Sequence, residues 1–173
     1  CVQPTLAPNI NAATARVLDR LGISLVKAEQ AGCCGAVAYH LNQQADGLDY
    51  MRRNIDAWWP FVEAGIESIV MTASGCGTTV KEYGHMLAND PAYAKKAEHI
   101  SGLTKDISEV ITAEADRFVA LFEPVQKSKG KIAFHPPCSL QHAQKLTGIV
   151  ENLLQKMGYE LTPVPDAHLC CGS

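Results

Sequence analysis

The chain has 173 residues, 47% of them hydrophobic, which is enough to bury the core of one domain or two small ones. Its 15 basic and 18 acidic residues leave a formal net charge of −3, without a basic stripe or polybasic block, so nothing offers nucleic acid a footprint. No apolar run approaches the roughly 18 residues of a membrane span, so membrane contact has to come through partners or an amphipathic surface.

The chain opens on Cys1. Ile10, Ala13, Val17, Leu18 and Leu21 then recur at helical spacing, with Asn9 or Asn11 available as a cap and Gly22 as the stop. Ile23 to Ala28 reads as a short strand leading into Cys33-Cys34-Gly35. Ala36 to Asn42 reads as a helix, and Leu48 to Ala64 as a longer one on which Trp58 and Trp59 are packing residues. Glu67 to Thr72 is a strand, followed by the loop Ser74-Gly75-Cys76-Gly77 and a helix ending near Leu87. Pro91 to Phe122 reads as one or two charged helices, where Lys95-Lys96, like Arg52-Arg53 earlier, are solvated. Residues 123–130, with Pro124 and a Lys/Ser/Gly run, form a linker. Lys131 to His135 is a strand entering Pro136-Pro137-Cys138. Leu146, Val150, Leu153, Leu154 and Met157 make a second amphipathic helix stopped by Gly158, and Tyr159 to Val164 is a strand before Cys170-Cys171-Gly172.

Two stretches of this path are copies of one another. Residues 2–32 separate Cys1 from Cys33-Cys34-Gly35, and residues 139–169 separate Cys138 from Cys170-Cys171-Gly172, 31 in each case. The helix, the stop glycine and the following strand recur inside each interval. Strands alternating with helices predict an α/β fold: two βαβ-type repeats with parallel strands flanked by helices, Rossmann-like. The first domain is expected over 1–122, the linker over 123–130 and the start of a second domain over 131–173. Both ends fall within motifs, so the sequence reads as a piece of a longer protein, with the strand before Cys1 missing and the second domain truncated.

Seven cysteines, an odd number with repeated spacing, fit metal binding in a reducing compartment better than a disulfide scaffold. The cysteines follow strand ends, where sites form in open α/β sheets. Cys1, Cys33, Cys34 and Cys76 give the first copy four candidate thiolates, which suit zinc or an iron–sulfur cluster. The adjacent pair favours a cluster, because neighbouring side chains in extended chain point apart and a cluster offers several iron atoms. His135, His142 and His168 lie near the second set as further candidate ligands. No phosphate loop, Ser/His/Asp order or carboxylate pair is present, so substrate chemistry by this stretch alone is not expected.

These motifs, with GCCGAVAYHLN (Gly32 to Asn42), NIDAWWP (Asn54 to Pro60), TASGCG (Thr72 to Gly77), LQHAQKL (Leu140 to Leu146) and HLCCGS (His168 to Ser173), carry a resemblance. The doubled Cys-x31-Cys-Cys-Gly pattern resembles the cysteine-rich CCG domain of heterodisulfide reductases, lactate-utilisation proteins, anaerobic glycerol-3-phosphate dehydrogenases and the glycolate oxidase iron–sulfur subunit. The wording around it looks most like the last. The resemblance implies an electron-transfer subunit of a flavin-dependent glycolate dehydrogenase. It would relay electrons from flavin-containing partner subunits to a quinone-type membrane acceptor, in the cytoplasm or peripherally on the cytoplasmic face of the inner membrane. It also implies 4Fe–4S clusters, with Cys1, Cys33, Cys34 and Cys76 on the first, Cys138, Cys170 and Cys171 on the second, and a fourth ligand beyond Ser173. Zinc remains the alternative at the first site. Heterodisulfide reductases have a Cys-x-x-Cys where this chain has Ala73 to Cys76, which argues against their five-cysteine cluster and disulfide chemistry here.

Overall fold

The structure, a computed structural model, describes residues 2–121 and 130–170. Helices α1 (Val2–Leu6) and α2 (Pro8–Arg20) open it. Pro8 takes the first helical position, where a missing N–H costs nothing, and Ala7 precedes it without a side-chain cap. Neither Asn9 nor Asn11 therefore caps the helix. Asn11 accepts a hydrogen bond from the Thr72 hydroxyl at 2.9 Å instead. Gly22 ends the element as expected, at a φ of 72°.

The strand expected at 23–28 does not form, because among the described residues no strand lies beside that segment to complete a ladder. Helices α3 (Ala36–His40) and α4 (Gln44–Glu63) follow, and α4 begins a turn earlier than the apolar pattern suggests. Strand β1 (Ile69–Met71) leads into α5 (Ser74–Lys81), so Ser74-Gly75-Cys76-Gly77 is the first turn of a helix and not the expected loop. Gly77 is closely packed there: a Cβ on it would lie 3.0 Å from the Gln144 amide nitrogen.

After α6 (Tyr83–Met86), the stretch read as one or two helices contains three, α7 (Ala94–Leu103), α8 (Ile107–Ala113) and α9 (Ala115–Ala120), and a strand, β2 (Thr104–Asp106). Thr-Lys-Asp carries no apolar alternation. It becomes a strand by pairing with β1 in parallel, Ile69 with Thr104 through Met71 with Asp106. Asp106 then caps α8 in a reciprocal box with Glu109.

The second copy keeps the predicted βαβ order, with β3 (Lys131–Ala133), a π-helix (Ser139–Ala143), α10 (Ile149–Lys156) and β4 (Glu160–Thr162). β3 and β4 pair in parallel, Lys131 with Glu160 through Ala133 with Thr162. The fold is thus α/β with parallel strands, carried by two short sheets, β1–β2 and β3–β4. The expected linker lies outside the described residues, apart from Gly130.

The larger core gathers Met51 and Ile55 of α4, Ile69 of β1, Val80, Tyr83, Leu87 and Ile100, and it includes Cys34. A smaller one joins Leu21 beside α2, Ala115 and Phe118 of α9, and Leu153 of α10, so residues of both copies share it.

Candidate metal centre

Two glycines press the Cys33-Cys34 turn onto α4. Gly35 has a φ of 90°, and a Cβ there would lie 2.5 Å from the Gly47 carbonyl oxygen. A Cβ on Gly47 would in turn lie 2.9 Å from that of Tyr39. The turn is then fastened by Asn54, which is only 1% exposed. The Asn54 side-chain Oδ1 accepts from the Gly32 N–H at 2.8 Å. Its amide donates to the Cys33 carbonyl at 2.8 Å and to the Tyr83 hydroxyl at 3.1 Å. The Tyr83 hydroxyl donates to the Cys34 carbonyl at 2.9 Å. Burial pushes the Tyr83 phenol up, so it stays protonated and keeps donating.

This clamp places Cys34 against Cys76, in the first turn of α5, and the two thiols are hydrogen-bonded to each other. The bond from Cys76 lowers the Cys34 thiol to about 6, against the opposing effect of burial; the Ala36 N–H and the Thr79 side chain help. Cys76 is pushed up by the same hydrogen bond and by burial. The pair therefore gives up one proton readily and holds the other. In the metal-free chain, thiolate ultraviolet absorbance should show one group with a midpoint of about 6. It is neutral below that pH and a thiolate above it, whereas an ordinary thiol ionises near ~8.5. Cys76→Ala removes the donor and should move the midpoint upward. An unchanged midpoint would mean that the two thiols do not interact.

Cys33, Cys34 and Cys76 line one cavity of about 540 Å³ together with Thr79, Glu82 and Ser139. Ser139 directly follows Cys138, so the second copy reaches the first at this rim. The Ser74 and Ser139 hydroxyls are 2.7 Å apart, and the Gln144 amide donates to the Ser74 carbonyl at 2.9 Å.

In the second copy the Cys138 and Cys170 sulfurs lie 3.7 Å apart. Gln141 is the counterpart of the Asn54 clamp. Its buried amide donates to the Pro136 carbonyl at 2.7 Å and the Ala167 carbonyl at 2.8 Å, which ties the approach to Cys138 to the approach to Cys170. His135 and His142, weighed above as ligands, hydrogen-bond through Nε2 to the carbonyls of Leu169 (3.2 Å) and His168 (2.8 Å). Both hold the loop before Cys170.

Cys1 and Cys171 lie outside the described residues. None of the five described cysteines is in a disulfide. Among the described residues, no three Cys, His, Asp or Glu side chains close on a single ion.

Asn54, Tyr83 and Gln141 escaped the reading of the sequence. One signal was available: Asn54 stands on the apolar stripe of α4 with Met51, Ile55 and Trp58, where a lone polar residue has to find partners.

A family profile described as a cysteine-rich domain, CCG, matches residues 1–81 and 132–173. The glycolate oxidase iron–sulfur subunit of Escherichia coli (strain K12) is 60% identical over 173 residues, which cover 100% of this chain and 41% of that protein. Lactate utilization protein A of Bacillus velezensis is 30% identical over 176 residues, covering 99% of the chain and 69% of the relative. The probable glycolate oxidase iron–sulfur subunit of Bacillus subtilis is 26% identical over 174 residues, covering 100% and 38%. The chain thus spans about two fifths of the two glycolate oxidase subunits it resembles.

Proposed function

The chain belongs to the cysteine-rich CCG domain family, and from that premise we propose that it is the electron-transferring, iron–sulfur part of a flavin-dependent 2-hydroxy-acid dehydrogenase acting on glycolate. Flavin-containing partner subunits would take electrons from the substrate, and a quinone-type membrane acceptor would receive them. The place of action is the cytoplasm, or the cytoplasmic face of the inner membrane. Among the described residues no helix is long and apolar enough to cross a membrane.

The observation that carries this reading is the grouping of Cys33, Cys34 and Cys76 around one cavity whose rim includes the residue after Cys138. Cys1 would complete the first ligand set, and Cys138, Cys170 and Cys171 would supply the second. A 4Fe–4S cluster bound there would accept and release single electrons. The chain's own contribution is to hold the ligands. Asn54 and Tyr83 fix the peptide carbonyls of the Cys33-Cys34 turn, Gln141 fixes the approaches to Cys138 and Cys170, and the Cys34–Cys76 pair offers a thiolate near neutral pH. The Ser74–Ser139 contact keeps the two sets close, as a relay requires.

Anaerobic purification with iron, sulfide and zinc quantified together tests the proposal. Brown protein with a redox-sensitive paramagnetic signal is expected. Colourless protein with stoichiometric zinc would instead support a zinc-stabilised docking scaffold. Reduction of the assembled complex by glycolate against lactate separates the substrate readings, since lactate utilization proteins are also similar.

A variant comparison tests the ligand set. The first copy has four candidate thiolates in this chain and the second has three, so the first should retain iron more tightly. Cys76→Ser should bring its retention down to that of the second copy, with Cys171→Ser as the comparison. A folded Cys76→Ser protein with undiminished iron would make Cys76 a packing residue.

A further inference from the structure

A second opening beside the cysteines is a trough between the extended segment 23–28 and β1. Two cavities, of about 530 and 190 Å³, share Leu25, Val26, Trp58 and Val70 as lining and so run together. Phe61 and Ile66 add to the apolar floor. Leu25 and Val26 are 49% and 56% exposed along one wall. The other wall is β1, which pairs with β2 on one edge only among the described residues. An apolar trough flanked by an extended segment and a sheet edge is a template for another strand.

The second copy shows what belongs there. β3 comprises the seventh to fifth residues before Cys138, and it lies in parallel against β4, which begins two residues after the stop glycine, Gly158. In the first copy, the residues two to four after the stop glycine Gly22 are Ser24, Leu25 and Val26, on the wall of the trough. Gln3 and Pro4 line the same trough, so its far end lies close to the start of the described chain.

We propose that the trough is the seat of a β-strand formed by the polypeptide upstream of Cys1, the seventh to fifth residues before it, lying parallel between Ser24–Val26 and β1. It turns segment 24–26 into a strand and joins it to β1 and β2 in one four-stranded parallel sheet. It also delivers Cys1 to the rim where Cys33, Cys34 and Cys76 stand, as β3 delivers Cys138. Only this last consequence rests on the ligand reading above. The trough is on this view not a small-molecule pocket, although it reaches Cys34 and Cys76.

Hydrogen exchange tests the proposal on the full-length protein, with the residues directly upstream of Cys1 either native or replaced by Gly/Ser of equal length. Amides of 24–26 and 69–71 should exchange at least about tenfold more slowly with the native extension than with Gly/Ser. In a Trp59→Phe background, acrylamide should also quench Trp58 less. If the native extension leaves both segments and Trp58 as accessible as Gly/Ser does, the proposal is wrong. Iron is read separately. Protected strands without any gain in first-site iron would refute Cys1 as a ligand while leaving the strand in place.

Discussion

Asn54→Leu is expected to destabilise the chain by about 3 kcal/mol, lowering Tm by about 8 °C. The isosteric apolar side chain fills the space but takes away the partner of the Gly32 N–H and the closer donor to the Cys33 carbonyl, to which Arg53 still donates at 3.5 Å, at about 1 kcal/mol each. It also removes the donor that holds the Tyr83 hydroxyl. Tyr83→Phe should cost less, about 1 to 2 kcal/mol, because it strips a partner from the Cys34 carbonyl but leaves both Asn54 bonds to the turn intact. Denaturant unfolding of both variants gives the order. Equal costs would mean that Asn54 does not fasten the turn. Iron retained at the first site should fall in the same order, since the amide acts only by positioning Cys33 and Cys34.

Gly35→Ala should cost about 3 kcal/mol or more, from two separable sources. A left-handed φ of 90° penalises any L side chain by roughly 1 to 2 kcal/mol. The added Cβ also meets the Gly47 carbonyl oxygen at 2.5 Å, and a backbone atom in the middle of a helix contact cannot step aside. Gly65→Ala is the control. Gly65 has a φ of 88°, but nothing lies within 4 Å of its Cβ position, so it should show the conformational cost alone. The difference between the two variants is the steric cost of the added Cβ at the close approach of the cysteine turn to α4. Thermal unfolding should show Gly35→Ala several degrees below Gly65→Ala, and coincident midpoints would remove the contact from the account.

The sequence by itself determined the repeat, the cysteine spacing, the stop glycines and the parallel βαβ character of the chain. Each of these is local or periodic: Gly22 and Gly158 stop helices through their own backbone freedom, and the apolar stripe of α10 is visible in Leu153, Leu154 and Met157. Only the tertiary structure decided which extended segments became strands. Thr104–Asp106 acquired a ladder because β1 lay beside it, while the more strand-like Ile23–Ala28 did not, because a ladder is a property of two segments and propensity of one. The site divides in the same way. Its sulfurs were legible because cysteine is rare and the spacing repeats. The amides of Asn54 and Gln141 and the Tyr83 hydroxyl were not, because a polar side chain becomes a clamp only when folding brings carbonyls from elsewhere in the chain within hydrogen-bond reach and excludes the water that would otherwise satisfy them.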